Sequence, residues 1–584
     1  MSYKDAFKLF GTGDLDGTTG MIDDMLDEFG ANVAVLTLSA QCAKMTGDRD
    51  EAERILQSCC EIAPGAQVFY NLGSFYLESG DRGSAVRCYK EAFDFDPSYL
   101  PSAEAYGDML ITAGFLQNAH GIVSKIVTVH PESAIGYTLA GRIMCQCGQA
   151  DMAVDQFRKA LEFEPDDITI YTHLLLALNY CPTIDEQVLV DSSGKWAELL
   201  QEKVQPDPPQ KRAGTGRIRI GYVSGDFRRH SVAYFIEPIL HYHDKEKFEV
   251  FGYSFASMPD DVTKRIKGMC DTWRDLRMTR SYQTAADVIK HDQIDILIDL
   301  GGITYKGIEL FAYKPAPVQV TFLGYPNTTA LTAINYRFTD GYCDPENNDK
   351  TDSSYLEELI RLNAGFLTFA PPDTSPEISE PPFVKNGYVT FGSFNTFAKV
   401  TDEVIDVWSK ILNRVPGSKL LLKSKLFIEV ESKDEVQFCF SKRGIGPDRL
   451  ILREWTQTLE SHLEVYGGVD IALDTFPYNG TTTTCESLWM GVPVVSRYGS
   501  VHRSRVGLSI LSQLGMPSLA TDSAREYIKQ AVRMACNETR LRSLRKSLRS
   551  VVAHSPICDA QSTTREMEQY YSRWITAIDD KALV

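Results

Sequence analysis

The sequence predicts two architectures in one chain: an α-helical solenoid over residues 1–190, then an α/β region of two doubly wound halves. Two observations carry this. Pro64, Pro97, Pro131 and Pro165 recur at spacings of 33, 34 and 34 residues, the period of stacked helix-turn-helix units. Beyond residue 217 short apolar runs alternate with helical stretches, the pattern of parallel sheets with helices on both faces.

Within each unit, small and large residues alternate at fixed offsets. One unit carries Leu72-Gly73, Tyr76, Ala85, Tyr89, Ala92 and Pro97, and the next carries Tyr106-Gly107, Leu110, Ala119, Val123, Ile126 and Pro131. A third carries Ala140-Gly141, Met144, Ala153, Phe157, Ala160 and Pro165. Small residues let two helices approach, large ones fill the space between units, and proline ends the second helix. The pattern resembles the tetratricopeptide repeat. A weaker copy covers about residues 33–64, and residues 1–31 suit a divergent cap. Such a solenoid offers a groove to a protein or peptide partner, with a dimerisation or spacer surface as the alternative.

The Pro-, Gly- and Lys/Arg-rich stretch VQPDPPQKRAGTGR, residues 204–217, marks a boundary, and the linker is read as residues 191–216. Strands are expected at 218–223, 248–254, 294–300 and 318–323. A second series is expected at 388–394, 419–423, 471–474 and 492–496. The acidic, Pro-rich stretch at 371–382 separates the series, so Rossmann-like halves are read at 217–375 and 376–545, with closing helices over 546–584. Ligands of such sheets sit beyond the C-terminal strand ends, where loops enter helices.

Bulk properties bound the function. The 584 residues are 43% hydrophobic and 24% charged, a globular balance. A net charge of -18 argues against a broad nucleic-acid surface. The N-terminus lacks the apolar core of a secretory signal and no run of about 18 apolar residues occurs, so a cytoplasmic protein without membrane attachment is expected. The 13 cysteines have no paired metal-site spacing and read as reduced core thiols.

The most informative short stretch is NGTTTTCESLWMGVP, residues 479–493. Four β-branched threonines are poor helix interior, yet a helix is expected to open after them at Cys485. Hydroxyls and free N–H groups at a helix start hold anions, so the threonine run is a phosphate candidate, and Glu486 could accept from a ribose hydroxyl. A plain threonine cap with Glu486 complementing the dipole is the alternative. Neither the dinucleotide fingerprint nor the P-loop motif is present, and no Asp-x-Asp follows a strand in the second half, which favours chemistry without a metal or resident cofactor.

Four long stretches then resemble one family. GYVSGDFRRHSVAYFIEPIL, KPAPVQVTFLGYP, FGSFNTFAKVTDEVIDVWSKILNRVPGSKLLLKS and DIALDTFPYNGTTTTCESLWMGVPVV are similar to the catalytic region of glycosyltransferase family 41, the O-GlcNAc transferase-like enzymes, over about residues 217–575. The resemblance implies an inverting, metal-independent GT-B enzyme that moves a sugar from a nucleotide donor, UDP-GlcNAc by default, to Ser or Thr of proteins. It assigns Lys399 and the pair Thr482 and Thr483 to the donor diphosphate, Glu486 to the ribose and His462 to the base. Gly324, Tyr325 and Pro326 would line the sugar pocket, and Arg505 would add charge near the nucleotide loops. His230 matches a histidine of the cleft, suited by its ordinary pKa to take an acceptor proton or to position the acceptor. Solvated readings remain open for Lys399 and His462 as helix-start and helix-surface residues.

Some positions depart from the family. Asn327 and Ala330 replace glycines in the loop after LGYP, Ile303 replaces a histidine common in bacterial relatives, and Leu459 replaces a lysine beside the uracil in animal enzymes. Side chains added there are expected to reshape the sugar pocket, which keeps another donor open: a UDP-hexose, or a CMP-nonulosonic acid for a flagellin-like protein. A protein acceptor held by the repeats is the expected partner. A transferase for small molecules or glycans, a silent adaptor and a homo-oligomer stay open as alternatives.

Overall fold

The computed structural model describes residues 2–29, 32–206, 216–279, 281–346, 352–372 and 374–582; residues 207–215 of the expected linker lie outside these. Two compact units divide the chain, Met1–Ala140 and Gly141–Val584.

The first unit is helical throughout. Helix pairs run Val33–Thr46 with Arg49–Ile62, Ala66–Glu78 with Arg82–Phe95, and Leu100–Ala113 with Leu116–Val129, preceded by Tyr3–Gly11 and Leu15–Phe29. Each pair turns on local chemistry. Gly47 takes the left-handed conformation (φ 91°) that ends one helix, and Asp48 accepts the Glu51 N–H at 3.1 Å to start the next. Pro64, Pro97 and Pro131 stand just past the second helix of a pair, as the period predicts. The small-to-large logic holds in detail: a Cβ on Gly73 would come within 2.8 Å of the Tyr89 ring, so glycine sets the distance between the paired helices.

The second unit begins with the end of helix Ala134–Gln146, followed by helices Ala150–Phe163, Ile168–Tyr180 and Glu186–Glu202. Gly141 repeats the small-residue device, its missing Cβ 2.7 Å from Phe157. The helix reaching Glu202 occupies residues expected to be linker from 191, because Leu189, Trp196, Leu199 and Leu200 form a buried stripe.

Two sheets follow. The first contains β1 (Ile218–Ser224), β2 (Phe248–Ser254), β3 (Thr272–Asp275), β4 (Ile296–Asp299), β5 (Val318–Thr321), β6 (Tyr336–Asp340) and β7 (Glu358–Leu362), in the order β3-β2-β1-β4-β5-β6-β7. The second contains β8 (Thr390–Ser393), β9 (Lys419–Lys423), β10 (Leu450–Arg453), β11 (Ile471–Leu473), β12 (Val494–Arg497) and β13 (Ala520–Thr521), in the order β10-β9-β8-β11-β12-β13. Every pairing is parallel. The eight expected strands are all present; β3, β6, β7, β10 and β13 are additional, short or polar strands toward the sheet margins whose apolar signal is weak. In both sheets the order reverses between the first strand and the fourth, which opens a crevice at β1/β4 and another at β8/β11.

The closing helix Ala560–Ala582 returns to the first sheet. Trp574 stacks on Tyr336 of β6 at 4.2 Å and 8°, and Glu568 lies 3.0 Å from the buried His243. Among the described residues no helix is long and apolar enough to cross a membrane.

Candidate functional site

The strand-order reversals position the site. The loop after β8 carries Lys399 and the loop after β11 leads into helix Thr482–Trp489, so both candidate phosphate-binding elements flank one crevice. The loop after β1 delivers His230, and the loop after β5 delivers Gly324 and Pro326. These residues line a cleft of about 290 Å³ together with Asn395, Tyr478, Thr481 and His502.

The helix opens at Thr482, three residues earlier than expected, so the threonines are its first turn. Thr481, at the cap position, makes no side-chain cap bond, and the first-turn N–H groups have no intrahelical partners. Thr483 donates to Asn395 Oδ1 at 2.9 Å and Thr484 to the Gly480 carbonyl at 3.2 Å. Thr482 Oγ1 has no protein partner among the described residues. The loop is drawn tight by Asp474, which accepts the Gly480 N–H at 2.7 Å, and a Cβ on Gly480 would strike Thr483 Oγ1 at 2.6 Å.

Lys399 Nζ donates to the Asn479 carbonyl at 2.8 Å and sits 3.9 Å from the centre of the Tyr478 ring. Asn479 is itself braced by its side chain, which donates to the Thr475 and Arg497 carbonyls at 2.8 and 3.1 Å. Burial lowers Lys399 to about 8, opposed by the nearby Asp474. Burial in turn raises Asp474 to about 6. The result is a desolvated cation beside a helix N-terminus, an arrangement that gains from a bound diphosphate.

At the other end of the second half, Glu486 Oε2 lies 2.9 Å from His462 Nε2 and accepts from the Tyr466 hydroxyl at 3.2 Å. His462 Nδ1 meets Lys423 Nζ, which also donates to Thr456 Oγ1 at 2.8 Å and lies 5.0 Å from the Trp455 ring centre. Burial lowers Lys423 to about 8, against the pull of Glu486. Trp455 is 58% exposed and its ring lies 5.9 Å from that of His462, leaving an aromatic face open beside the histidine.

His230 caps helix Ser231–Tyr242, its Nδ1 accepting the Val232 N–H at 3.3 Å. Burial pushes its pKa down, while Asp226, 3.6 Å away, pulls it up. Gly324 is required by contact: a Cβ there would meet the Leu300 carbonyl at 2.3 Å. Leu323, which lines the cleft, holds a positive φ of 78° in the same turn.

Four sequence-predicted residues lie outside the cleft lining: His462 and Glu486, which pair with each other, and Tyr325 and Arg505. The Tyr325 ring is 2% exposed and turns toward the helices, its hydroxyl accepting from Asn179 at 3.3 Å. Arg505 donates to the Tyr342 and Gly499 carbonyls at 2.7 and 2.8 Å, so it fastens loops. The substituted loop also differs from expectation. Asn327 bonds Asn179, and the Thr328 and Thr329 hydroxyls bond the buried Glu357. These side chains turn toward protein and none lines the cleft. Sequence reading missed Lys423, Trp455 and His502. The first two had a signal in strand-end position and exposed aromaticity; His502 had none, since its partner Asp344 is 158 positions away.

Two parallel sheets with a threonine-rich helix N-terminus at the second reversal match the architecture of nucleotide-sugar transferases. The chain belongs to Glycosyl transferase family 41, whose sequence model matches residues 197–369 and 383–567, and a tetratricopeptide repeat model matches residues 66–99. It is 38% identical over 427 residues to the probable UDP-N-acetylglucosamine-peptide N-acetylglucosaminyltransferase SPINDLY of Oryza sativa subsp. japonica, covering 72% of this chain and 45% of that one. It is 30% identical over 383 residues to the probable enzyme of the same activity named SEC in Arabidopsis thaliana, covering 63% and 38%. The chain thus spans less than half the length of these curated relatives. An O-GlcNAc transferase mutant of Thermobaculum terrenum superposes with a TM-score of 0.81 at 30% identity, covering 87% of this chain and 96% of that one.

Proposed function

We propose that this chain is an inverting protein glycosyltransferase that moves a sugar, GlcNAc by default, from a nucleoside-diphosphate donor to Ser or Thr hydroxyls. The observation that carries the reading is the cleft itself, where a desolvated Lys399 and a threonine-rich helix N-terminus converge at a strand-order reversal. Lys399, Thr482 and Thr483 would hold the diphosphate and stabilise the charge that builds on it as the glycosidic bond breaks. Glu486 would accept from the ribose, and His462 with Trp455 would stack the base, Lys423 facing its polar edge. The printed activities of the relatives make UDP the default nucleotide.

The repeats over residues 1–190 would recruit the acceptor protein and raise its effective concentration at the catalytic halves, for which we take 217–375 and 376–545 as the domains. Thirteen free cysteines suit a reducing, cytoplasmic setting.

The test is calorimetric titration of the full chain with UDP, GDP and CMP, with and without Mg²⁺, alongside Lys399→Ala. The reading expects metal-independent UDP binding that the substitution weakens, and hydrolysis of UDP-GlcNAc by the pure protein. Preference for CMP or GDP would keep the transferase and change the donor. No nucleotide binding at all would leave a silent adaptor.

A further inference from the structure

Inverting transfer requires a group that takes the acceptor proton, and that group must offer a lone pair to the cleft. His230 is poorly arranged for this. Its Nδ1 accepts the Val232 N–H at 3.3 Å, so the neutral ring carries its proton on Nε2 and has no second lone pair to offer.

His502 has the opposite arrangement. Its Nδ1 lies 2.7 Å from Asp344 Oδ2, and the two side chains are 3% and 1% exposed. Asp344 also accepts from the Thr339 hydroxyl and, at 3.3 Å, from the Tyr355 hydroxyl, a donor set that suits an ionised carboxylate. Burial alone would raise Asp344, but His502 and Arg337 hold it at about 2. The proton of neutral His502 therefore sits on Nδ1 and the lone pair on Nε2. No described residue bonds Nε2, and the ring lines the cleft that Lys399, Thr482 and Gly324 also line. Phe366, edge-on at 5.0 Å, fixes the ring from the side.

We propose that His502, oriented by Asp344, is the general base of the transfer; the proposal rests on the transferase reading above. In the step, the acceptor oxygen bonds to the anomeric carbon. The bond from that carbon to the donor phosphate oxygen breaks, its electron pair leaving on the nucleoside diphosphate. The acceptor proton passes to Nε2, and the imidazolium, paired with Asp344, later releases it to solvent. Nucleophile activation by a histidine held by a buried aspartate follows the same division of roles as in hydrolase triads.

Other charged groups set the field around the dyad. Arg337 and Asp340 stand on β6; Arg361 on β7 donates to the Asp344 carbonyl at 2.6 Å; Arg503 and Arg505 follow His502 in sequence; His230 and Lys399 share the cleft.

The test uses the full chain with water as acceptor: hydrolysis of UDP-GlcNAc, GDP-mannose and CMP-N-acetylneuraminate, with affinity for the matching nucleotide measured by calorimetry. The proposal expects His502→Gln and His502→Ala to lower hydrolysis by about 100-fold or more with Kd within about threefold of wild type. The acid limb of the pH–rate profile should vanish in both, and added imidazole should restore part of the His502→Ala rate. Hydrolysis by wild type that persists above about a third in His502→Gln, with the acid limb intact, overturns the base assignment alone. A wild-type chain that hydrolyses none of the three sugars overturns the transferase reading, and this assignment with it.

Discussion

Affinity for a nucleoside diphosphate should fall about tenfold between pH 7 and pH 9, because Lys399 loses its charge in that interval. Burial lowers its pKa to about 8 and Asp474 only partly opposes this. Its nearest partners, the Asn479 carbonyl and the Tyr478 ring, carry no formal charge. With that value the ammonium form makes up roughly nine tenths of the molecules at pH 7 and roughly one tenth at pH 9. Since the diphosphate selects the ammonium form, the apparent association constant drops about tenfold, or about 1.4 kcal/mol. The terminal phosphate, with a second pKa of about 6, is already ionised and adds no slope.

The linkage also has a stability side of opposite sign. The folded pKa lies below the unfolded value of about 10.4, so the unfolded chain binds more protons between about pH 8 and pH 10. The ligand-free protein gains stability from this residue across that window while ligand affinity declines. Calorimetric UDP titrations from pH 6.5 to 9.5, in buffers of differing ionisation enthalpy, should register uptake of about 0.9 proton per ligand at pH 9. Lys399→Ala should bind weakly with a flat profile. Lys423→Ala should keep the slope, since Lys423 lies at the base end of the site beside His462 and Trp455. A flat wild-type profile, or a slope that survives Lys399→Ala, would refute the reasoning.

Three further outcomes follow from the geometry. Thr482→Ala should weaken UDP binding by about 1.5–3 kcal/mol, the range for a hydrogen bond to a charged group, read as a loss of roughly 10- to 100-fold in Kd by calorimetry. Gly302→Ala should lower the melting temperature sharply, because φ is +57° and the new Cβ would lie 2.4 Å from Tyr325 Cβ; a melting curve that matches wild type would contradict the packing described. Trp574→Ala should cost about 3–5 kcal/mol by removing the stack on Tyr336, with the loss appearing in the denaturation midpoint even when nucleotide is present.

The legible parts of the fold are those with a one-dimensional signal. The repeat was visible because proline and glycine act locally, and both halves of the α/β region were visible because buried parallel strands read as apolar runs. Strands such as β7, with sequence ELIRL, escaped because an edge position needs only one buried face. At the site, His230, Gly324, Pro326, Lys399, Thr482 and Thr483 share one cleft, while Tyr325 and Arg505 turn elsewhere because Asn179 and the Tyr342 and Gly499 carbonyls offer them partners. Those partners come from distant segments, and chain spacing carries no information about them. The same holds for His502 and Asp344, which only the meeting of the two sheets makes neighbours.

The return of helix Ala560–Ala582 to the first sheet also has a consequence for biosynthesis. Tyr222 of β1 hydrogen-bonds the buried Tyr571, and the helix that follows β1 packs against this last helix. During translation β1 leaves the ribosome roughly 340 residues before its final cover is made. At about 5–20 residues per second that is an interval of about 20–70 s, in which the part of the first sheet that this helix covers is bare. Throughout that interval the nascent chain offers an apolar surface that chaperones could occupy, and completion of the first half must wait for synthesis of the second.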